Sequence, residues 1–437
     1  MEWWAVLIFF VGGLIFLLLL GFPIAFAFLL IDVLGILAFM GPLGLEQVTL
    51  HVFTSLSTFT LAPIPMFILM GELLFHSGLA HNSIDVVDRW LGRIPGRLGL
   101  LAASTGTIFA ATSGSTMANT AMLGTVLLPE MKKRGYSTSM SVGPILGVGG
   151  LAMLIPPSAL AVILASIGKI SVSQILLAGV VPGVLLGVTF AAYIVIRAWL
   201  NPACAPSYPV SSDSLGNRIY LTVKYLLPIG FIIFMVIGFI ILGFATPTEA
   251  GASGVIATLL VTVLYGRLNW RVIRETMKGS LQITVMALMI IAASKTFSSV
   301  LAFSGATTEL TELVTGLDAH PIIIMICMQL IIALLGTFME SVSIMMICIP
   351  LFIPISTALG FDPVWFGILT LINLEMGQIT PPFGMLLFVM KGVVPDDIEF
   401  KDICWAAFPY IVFDIIIIAA IIIWPNIALW LPAAVSN

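Results

Sequence analysis

Apolar runs of about twenty residues recur along the whole chain, parted by short joints of polar residues, Gly and Pro. A helix of that length crosses about 30 Å of hydrocarbon. The runs predict spans at 3–20 and 22–40, joined at Gly21-Phe22-Pro23, and a third at 55–77. An amphipathic, charged stretch at 82–97 follows. Residues 98–131 are apolar but interrupted at Ser113-Gly114-Ser115-Thr116. Each arm then has only about 15 residues, short for a crossing, which predicts a re-entrant hairpin that enters and leaves on one side. A span at 137–168, broken at Gly149–Pro157, and another at 172–198 complete the first half.

After a polar, Pro/Ser-rich linker at 201–218 the order repeats. Spans are predicted at 219–243, 247–265 and 280–304, then a short acidic helix at 308–318 and a hairpin at 321–357 with its tip near Thr337–Ser341. A broken span at 363–391 and a last crossing at 407–432 end the chain. Each half, 1–200 and 219–437, thus has five crossings and one hairpin. An odd number of crossings inverts the second copy, and inverted repeats are a common transporter plan with the site near the midplane at their interface. The predicted fold is an all-α polytopic membrane protein of about ten spans and two re-entrant hairpins.

Composition agrees. Of 437 residues, 60% are hydrophobic and 9% charged, with mean hydropathy +1.18; a soluble domain carries about 25% charged residues. A membrane β-barrel would show short alternating segments instead. Trp3 to Leu20 lacks a basic flank and a small-residue cleavage site, so it reads as a retained span. With both termini outside, 15 of the 17 lysines and arginines fall on the cytoplasmic side, leaving Lys169 outside and Lys295 within a span. That bias follows the positive-inside rule. Letting only the first hairpin cross would reverse every later loop and destroy it. A net charge of -4 and no basic tail give no sign of nucleic-acid binding. The four cysteines lack metal spacing, and there is no P-loop, HExxH or nucleophile–base pair, which argues against an ATPase of that fold or an enzyme.

The candidate chemistry lies where the apolar runs break. Chain interrupted inside a bilayer is tolerated only where protein or a polar cavity satisfies its backbone. Ser113, Gly114, Ser115, Thr116 and Asn119 form the first tip; Thr337, Met339, Glu340 and Ser341 form the second. Their hydroxyl, amide and carboxylate oxygens suit a hard cation such as Na⁺, and free helix amino ends suit a substrate carboxylate. Past each tip comes a break ending in Pro-Pro: Gly149, Gly150, Pro156 and Pro157 in the first half, and Gly377, Gln378, Thr380, Pro381 and Pro382 in the second. Gly would permit an unwound backbone there, and Pro-Pro lacks amide hydrogens, leaving carbonyls free for a cation. One such break alone is more simply a packed kink. Two matched breaks, each trailing a matched polar tip, favour a binding site. Glu375 borders the second break. Glu72 and Lys295 hold corresponding places in the two halves, which suggests an ion pair, although inversion sets equivalent residues at opposite depths. Asp32 and Asp414 sit within spans without an evident role.

These segments, with Ala62–Leu74 and Thr246–Ala252, resemble the large membrane subunit of the tripartite ATP-independent periplasmic (TRAP) transporters essentially end to end. The resemblance implies a multi-pass bacterial inner-membrane importer of organic acids, driven by two or more Na⁺ ions. It implies an elevator mechanism in which hairpins and broken spans move against a scaffold of the leading spans (3–77 and 219–304), linked to it by amphipathic arms at 82–97 and 396–407. It also implies a small membrane subunit and a periplasmic substrate-binding protein as partners, and one Na⁺ near each tip and break. The rival readings are a stand-alone Na⁺/dicarboxylate carrier or antiporter of the same plan and, from another class, an ion channel.

Overall fold

Backbone groups that cannot reach water must pair within their own segment, and nearly the whole chain answers by forming helix. The computed structural model describes residues 2–79, 81–92, 94–113, 115–206 and 214–436. The first half comprises α1 (Trp3–Leu19), α2 (Ile24–Phe39), α3 (Leu45–Leu56), α4 (Pro63–Ser77), α5 (His81–Leu91), α6 (Arg97–Ser113), α7 (Thr116–Lys133), α8 (Thr138–Gly150), α9 (Ala159–Gly168) and α10 (Val172–Leu200). The second comprises α11 (Leu215–Ile241), α12 (Pro247–Leu264), α13 (Trp270–Phe303), α14 (Ala306–Thr315), α15 (Pro321–Gly336), α16 (Ser341–Ala358), α17 (Pro363–Ile379), α18 (Met385–Lys391), α19 (Phe400–Ile423) and α20 (Asn426–Ser436). Among the described residues, seven helices are long and apolar enough to cross a membrane individually; shorter helices in series make up the other apolar runs.

Two packing groups emerge. In one, α4 lies against α12 and α13, and α13 also contacts α2 and α3. Its centre is an edge-to-face cluster in which Phe297 meets Phe10 at 5.6 Å and Phe28 at 5.3 Å. In the other, α8 packs on α6, α7 and α19, while α17 packs on α15 and α19. There the buried ring of Tyr410 fills the space left by Gly143 and Gly147, where any Cβ would collide with it.

The structure changes several expected boundaries. The span expected at 55–77 is preceded by a separate helix, α3, and starts at Pro63 after a break around Ser57–Thr58. Its counterpart α13 runs unbroken for 34 residues. The arm expected at 396–407 is not a separate element: α19 begins at Phe400, under a capping box formed by Glu399 and Asp402. The helix that matches α5 in order is instead α14. The last crossing also does not run to 432 unbroken, because Trp424-Pro425 divides it and Pro cannot continue the backbone ladder.

Hairpin arms of 17, 18, 16 and 18 residues are longer than expected, so length no longer argues for re-entry. Position does so for the first hairpin. The Leu98 amide donates to the Tyr136 hydroxyl at 3.3 Å, setting entry and exit side by side. The basic loops are also linked to one another: Trp90 Nε1 donates to Thr222 Oγ1 at 2.7 Å, Arg197 to Ser139 Oγ at 3.1 Å, and Lys132 pairs with Asp397 at 2.6 Å. Hydrogen bonding from Lys132 holds the exposed Asp397 carboxyl below the usual carboxylate range.

Candidate functional site

The first tip is a turn between two helices. Ser113 is the last residue of α6; its side chain and all of Gly114 lie outside the described residues. Ser115 is the N-cap of α7, its hydroxyl accepting from the Ala118 amide at 3.3 Å. This satisfies one of the orphan amides of a helix start. Thr116 is buried in the first turn. Asn119, one turn further, is 1% exposed. Its Nδ2 donates to the Gly106 carbonyl on α6 at 3.2 Å and to the Val148 carbonyl on α8 at 3.4 Å. One amide therefore ties both hairpin arms to the first broken span. Asn119 Oδ1 and the neighbouring Thr120 Oγ1 are buried without hydrogen-bond partners.

The second tip is built alike from different residues. Thr337, just past α15, donates to the Leu334 carbonyl at 2.8 Å, and Met339 is half-buried. Glu340 caps α16, its carboxylate accepting from the Val342 amide at 3.0 Å. Ser341 is buried and accepts from Gln378 Nε2 at 3.0 Å, so an amide side chain again joins tip to break, here reaching from the break. Gln378 Oε1 is left buried and unpartnered.

The glycines of the breaks do not adopt the unusual backbone expected of them. Gly149 and Gly150 end α8, and Gly377 lies in the last turn of α17; none has positive φ. They are there for proximity. A Cβ on Gly149 would strike the Thr120 hydroxyl, and one on Gly150 the Glu375 side chain. A Cβ on Gly377 would come within 2.8 Å of Gly336 Cα. The non-helical segments lie further on. In the first, Ser158 donates to the Met153 carbonyl at 2.8 Å and caps α9. In the second, Thr380 Oγ1 donates to the Met376 carbonyl at 2.6 Å. Pro156 and Pro157 are buried, whereas Pro381 and Pro382 are exposed. Beside the latter, the exposed rings of Phe338 and Phe383 meet at 5.4 Å.

The two breaks meet at Gly150 and Glu375. Glu375 and Asp414 on α19 are both fully buried, and none of their four carboxylate oxygens has a hydrogen-bond partner; the Tyr410 hydroxyl, one turn before Asp414, has none either. The sequence reading singled out Glu375 and left Asp414 unexplained. α17 and α19, which carry them, pack together and bring into one buried layer residues too far apart in the chain for local pattern to reveal. Asn373 and Gln329, bonded at 3.0 Å between α17 and α15, were likewise missed. The suggested Glu72–Lys295 pair does not form. Glu72 instead pairs with His76 at 3.2 Å, one turn along α4.

A helical membrane protein with two hairpins braced by amide side chains against two broken spans is a transporter of the paired-hairpin type. The fold is shared with the YdaH transporter of Alcanivorax borkumensis, at a TM-score of 0.66 and 13% identity over 90% of this chain and 89% of that one. The chain belongs to the DctM component family of the tripartite ATP-independent periplasmic transporters, whose model matches residues 11–427. It is 32% identical over 425 residues to the ectoine TRAP transporter large permease protein TeaC of Halomonas elongata, covering 96% of this chain and 97% of that protein. It is 31% identical over 436 residues to the C4-dicarboxylate TRAP transporter large permease protein DctM of Rhodobacter capsulatus, with the same coverage. It is therefore a multi-pass permease component of a tripartite transporter and not an enzyme.

Proposed function

We propose that this permease imports an organic acid anion together with Na⁺ across the bacterial inner membrane, both termini facing the periplasm. A periplasmic binding protein delivers the anion, and a small membrane subunit completes the assembly. The observation that carries the reading is the matched bracing of the two tips. Asn119 and Gln378 each use an amide N–H to join a tip to a break and leave their oxygens buried and unpartnered. Buried polar atoms are rarely left without partners, and a hard monovalent cation takes oxygen donors of this kind. Asn119, Thr120, Ser115 and Thr116 offer oxygens at the first tip; Gln378, Ser341, Thr337 and Glu340 offer them at the second.

The two packing groups suit an elevator. The hairpins, the broken spans, α10, α19 and α20 would slide as one body past α1–α4 and α11–α13. The relatives named for ectoine and C4-dicarboxylates support a small carboxylate as cargo. Each Na⁺ entering with the potential contributes about 2.3 kcal/mol per 100 mV. Two ions with a monoanion make uptake electrogenic. The test is uptake by proteoliposomes holding both membrane subunits, with the binding protein and its retained ligand outside. Uptake should need a Na⁺ gradient and rise with an inside-negative potential. Uptake that proceeds equally in choline would remove Na⁺ from the mechanism, and uptake without the binding protein would favour a stand-alone carrier.

A further inference from the structure

Two cations that the site leaves unused converge on one cavity. Lys169 follows α9, at the end of the first broken span, and Lys295 lies in the last third of α13, among the leading spans. Both line a cavity of about 380 Å³ with Thr54, Thr58, Ser298 and Ser299. A second cavity of about 490 Å³, running along α16, shares Lys169 and Ser298 with the first. Pockets that hold small molecules have about this volume. Among the described residues no Asp or Glu lines either cavity, and no carboxylate pairs with either lysine. The two ammonium groups thus share one cavity with no carboxylate to neutralise them.

Two features make this more than a solvated surface. Lys295 is only partly exposed and sits within a membrane-spanning helix, where an unpaired cation is costly and marks a substrate path by default. Lys169 has φ 54 and ψ 37, the left-handed region that Gly fills without strain. A long cationic side chain stands where a bare turn would be easier to form. The lysines also belong to different packing groups, one on each side of the surface along which the proposed movement occurs.

We propose that Lys169 and Lys295 form an anion-receiving site, in which the carboxylate of the cargo bridges the scaffold and the mobile body before it reaches the hairpin tips. This rests on the organic-anion reading above and adds to it an entry point and its two donors. Bridging neutralises the mutual repulsion of the ammonium groups, so the anion draws the two bodies together at this end. The hydroxyls of Ser298, Ser299 and Thr58 donate to backbone carbonyls one turn back and keep lone pairs toward the cavity, so the lysines supply the anion's charged donors.

The experiment uses the full chain with its small subunit in nanodiscs and an anionic amine-reactive probe, pyridoxal 5′-phosphate, fixed by borohydride and mapped by mass spectrometry. The probe should modify Lys169 or Lys295 at least about tenfold more than the exposed Lys132, Lys133 and Lys401, as expected where a charge-assisted contact holds its phosphate. Lys295→Met should abolish the excess at Lys169, and Lys295→Arg should restore it. Labelling of Lys169 and Lys295 no greater than at the three exposed lysines, or an excess at Lys169 that survives Lys295→Met, overturns the site. Uptake is measured in parallel. If wild-type protein carries no organic acid while the labelling excess stands, the functional reading fails and the anion site does not. If wild type transports, Lys295→Met should raise KM about tenfold or more with kcat little changed.

Discussion

Replacing Gly377 with Ala tests the second site through packing alone. The Gly377 Cβ position lies 2.8 Å from Gly336 Cα and 3.1 Å from its carbonyl carbon, so α15 and α17 touch backbone to backbone. Ordinary contact starts at 3.4 Å, and no flexible side chain is present to give way. The helices must part by about 0.6 Å, an overpacking that costs about 1–3 kcal/mol. Gln378, the next residue, spans from α17 to Ser341 at 3.0 Å. Ser341 follows Gly336 by five residues in the same hairpin, and if the hairpin moves as a unit a shift of that size along the bond stretches it to about 3.6 Å, past the limit of a hydrogen bond. Losing it costs roughly 1 kcal/mol more. If Na⁺ binding needs the tip held on the break, a loss of about 1–2 kcal/mol raises the Na⁺ concentration for half-maximal uptake roughly 5- to 30-fold. The assay is Na⁺-dependent uptake at fixed potential, with thermal unfolding to confirm assembly. Gly216→Ala, where a Cβ meets nothing within 4 Å, is the control. Unchanged Na⁺ dependence in a folded Gly377→Ala protein would refute the link between the helix contact and the ion.

Asn119→Asp should be worse than Asn119→Ala. Aspartate sets an oxygen against the Gly106 and Val148 carbonyls, whereas alanine only removes the bonds; thermal unfolding of the two variants ranks them. Ser115→Ala should lower stability by about 0.5–2 kcal/mol through loss of the cap, and both Ser115→Ala and Thr337→Ala should weaken Na⁺ dependence while the subunits still assemble. A wild-type Na⁺ response in both would take these hydroxyls out of the mechanism. Cysteines at Lys132 and Arg271 should react with an impermeant thiol reagent from the same face of the membrane, and opposite faces would break the inverted-repeat topology. Because Asp397 and Lys132 are both exposed, Asp397→Ala should leave the unfolding temperature nearly unchanged, since surface pairs contribute little.

The tips and breaks were legible because a bilayer penalises unpaired backbone so heavily that Ser, Asn and Gly-Pro clusters inside apolar runs stand out. What each glycine does was not. Composition alone cannot separate a glycine that unwinds a helix from one that lets another helix touch it, and Gly150 and Gly377 are of the second kind. α3 was missed because its apolar residues are diluted by Glu46, Thr49, His51 and Ser55, leaving no continuous run. The division of the last crossing had a signal, Pro425, which the apolar residues on either side masked. Lys295 was compared with Glu72 because the two match in order along the halves. Inversion carries such equivalents apart, and the residue that comes near Lys295 is Lys169, which the repeat pattern does not pair with it.

The buried first Pro-Pro turn and the exposed second one make the two halves unequal in this conformation, although their plans are alike. The first turn is closed to solvent, while the second stands open beside the exposed rings of Phe338 and Phe383. If both tips hold an ion as proposed, the two would leave in a fixed sequence, the shielded one waiting on a rearrangement that its neighbour does not need. Washout of a radioactive ion would be biphasic, and trimming either aromatic ring should hasten only the faster phase.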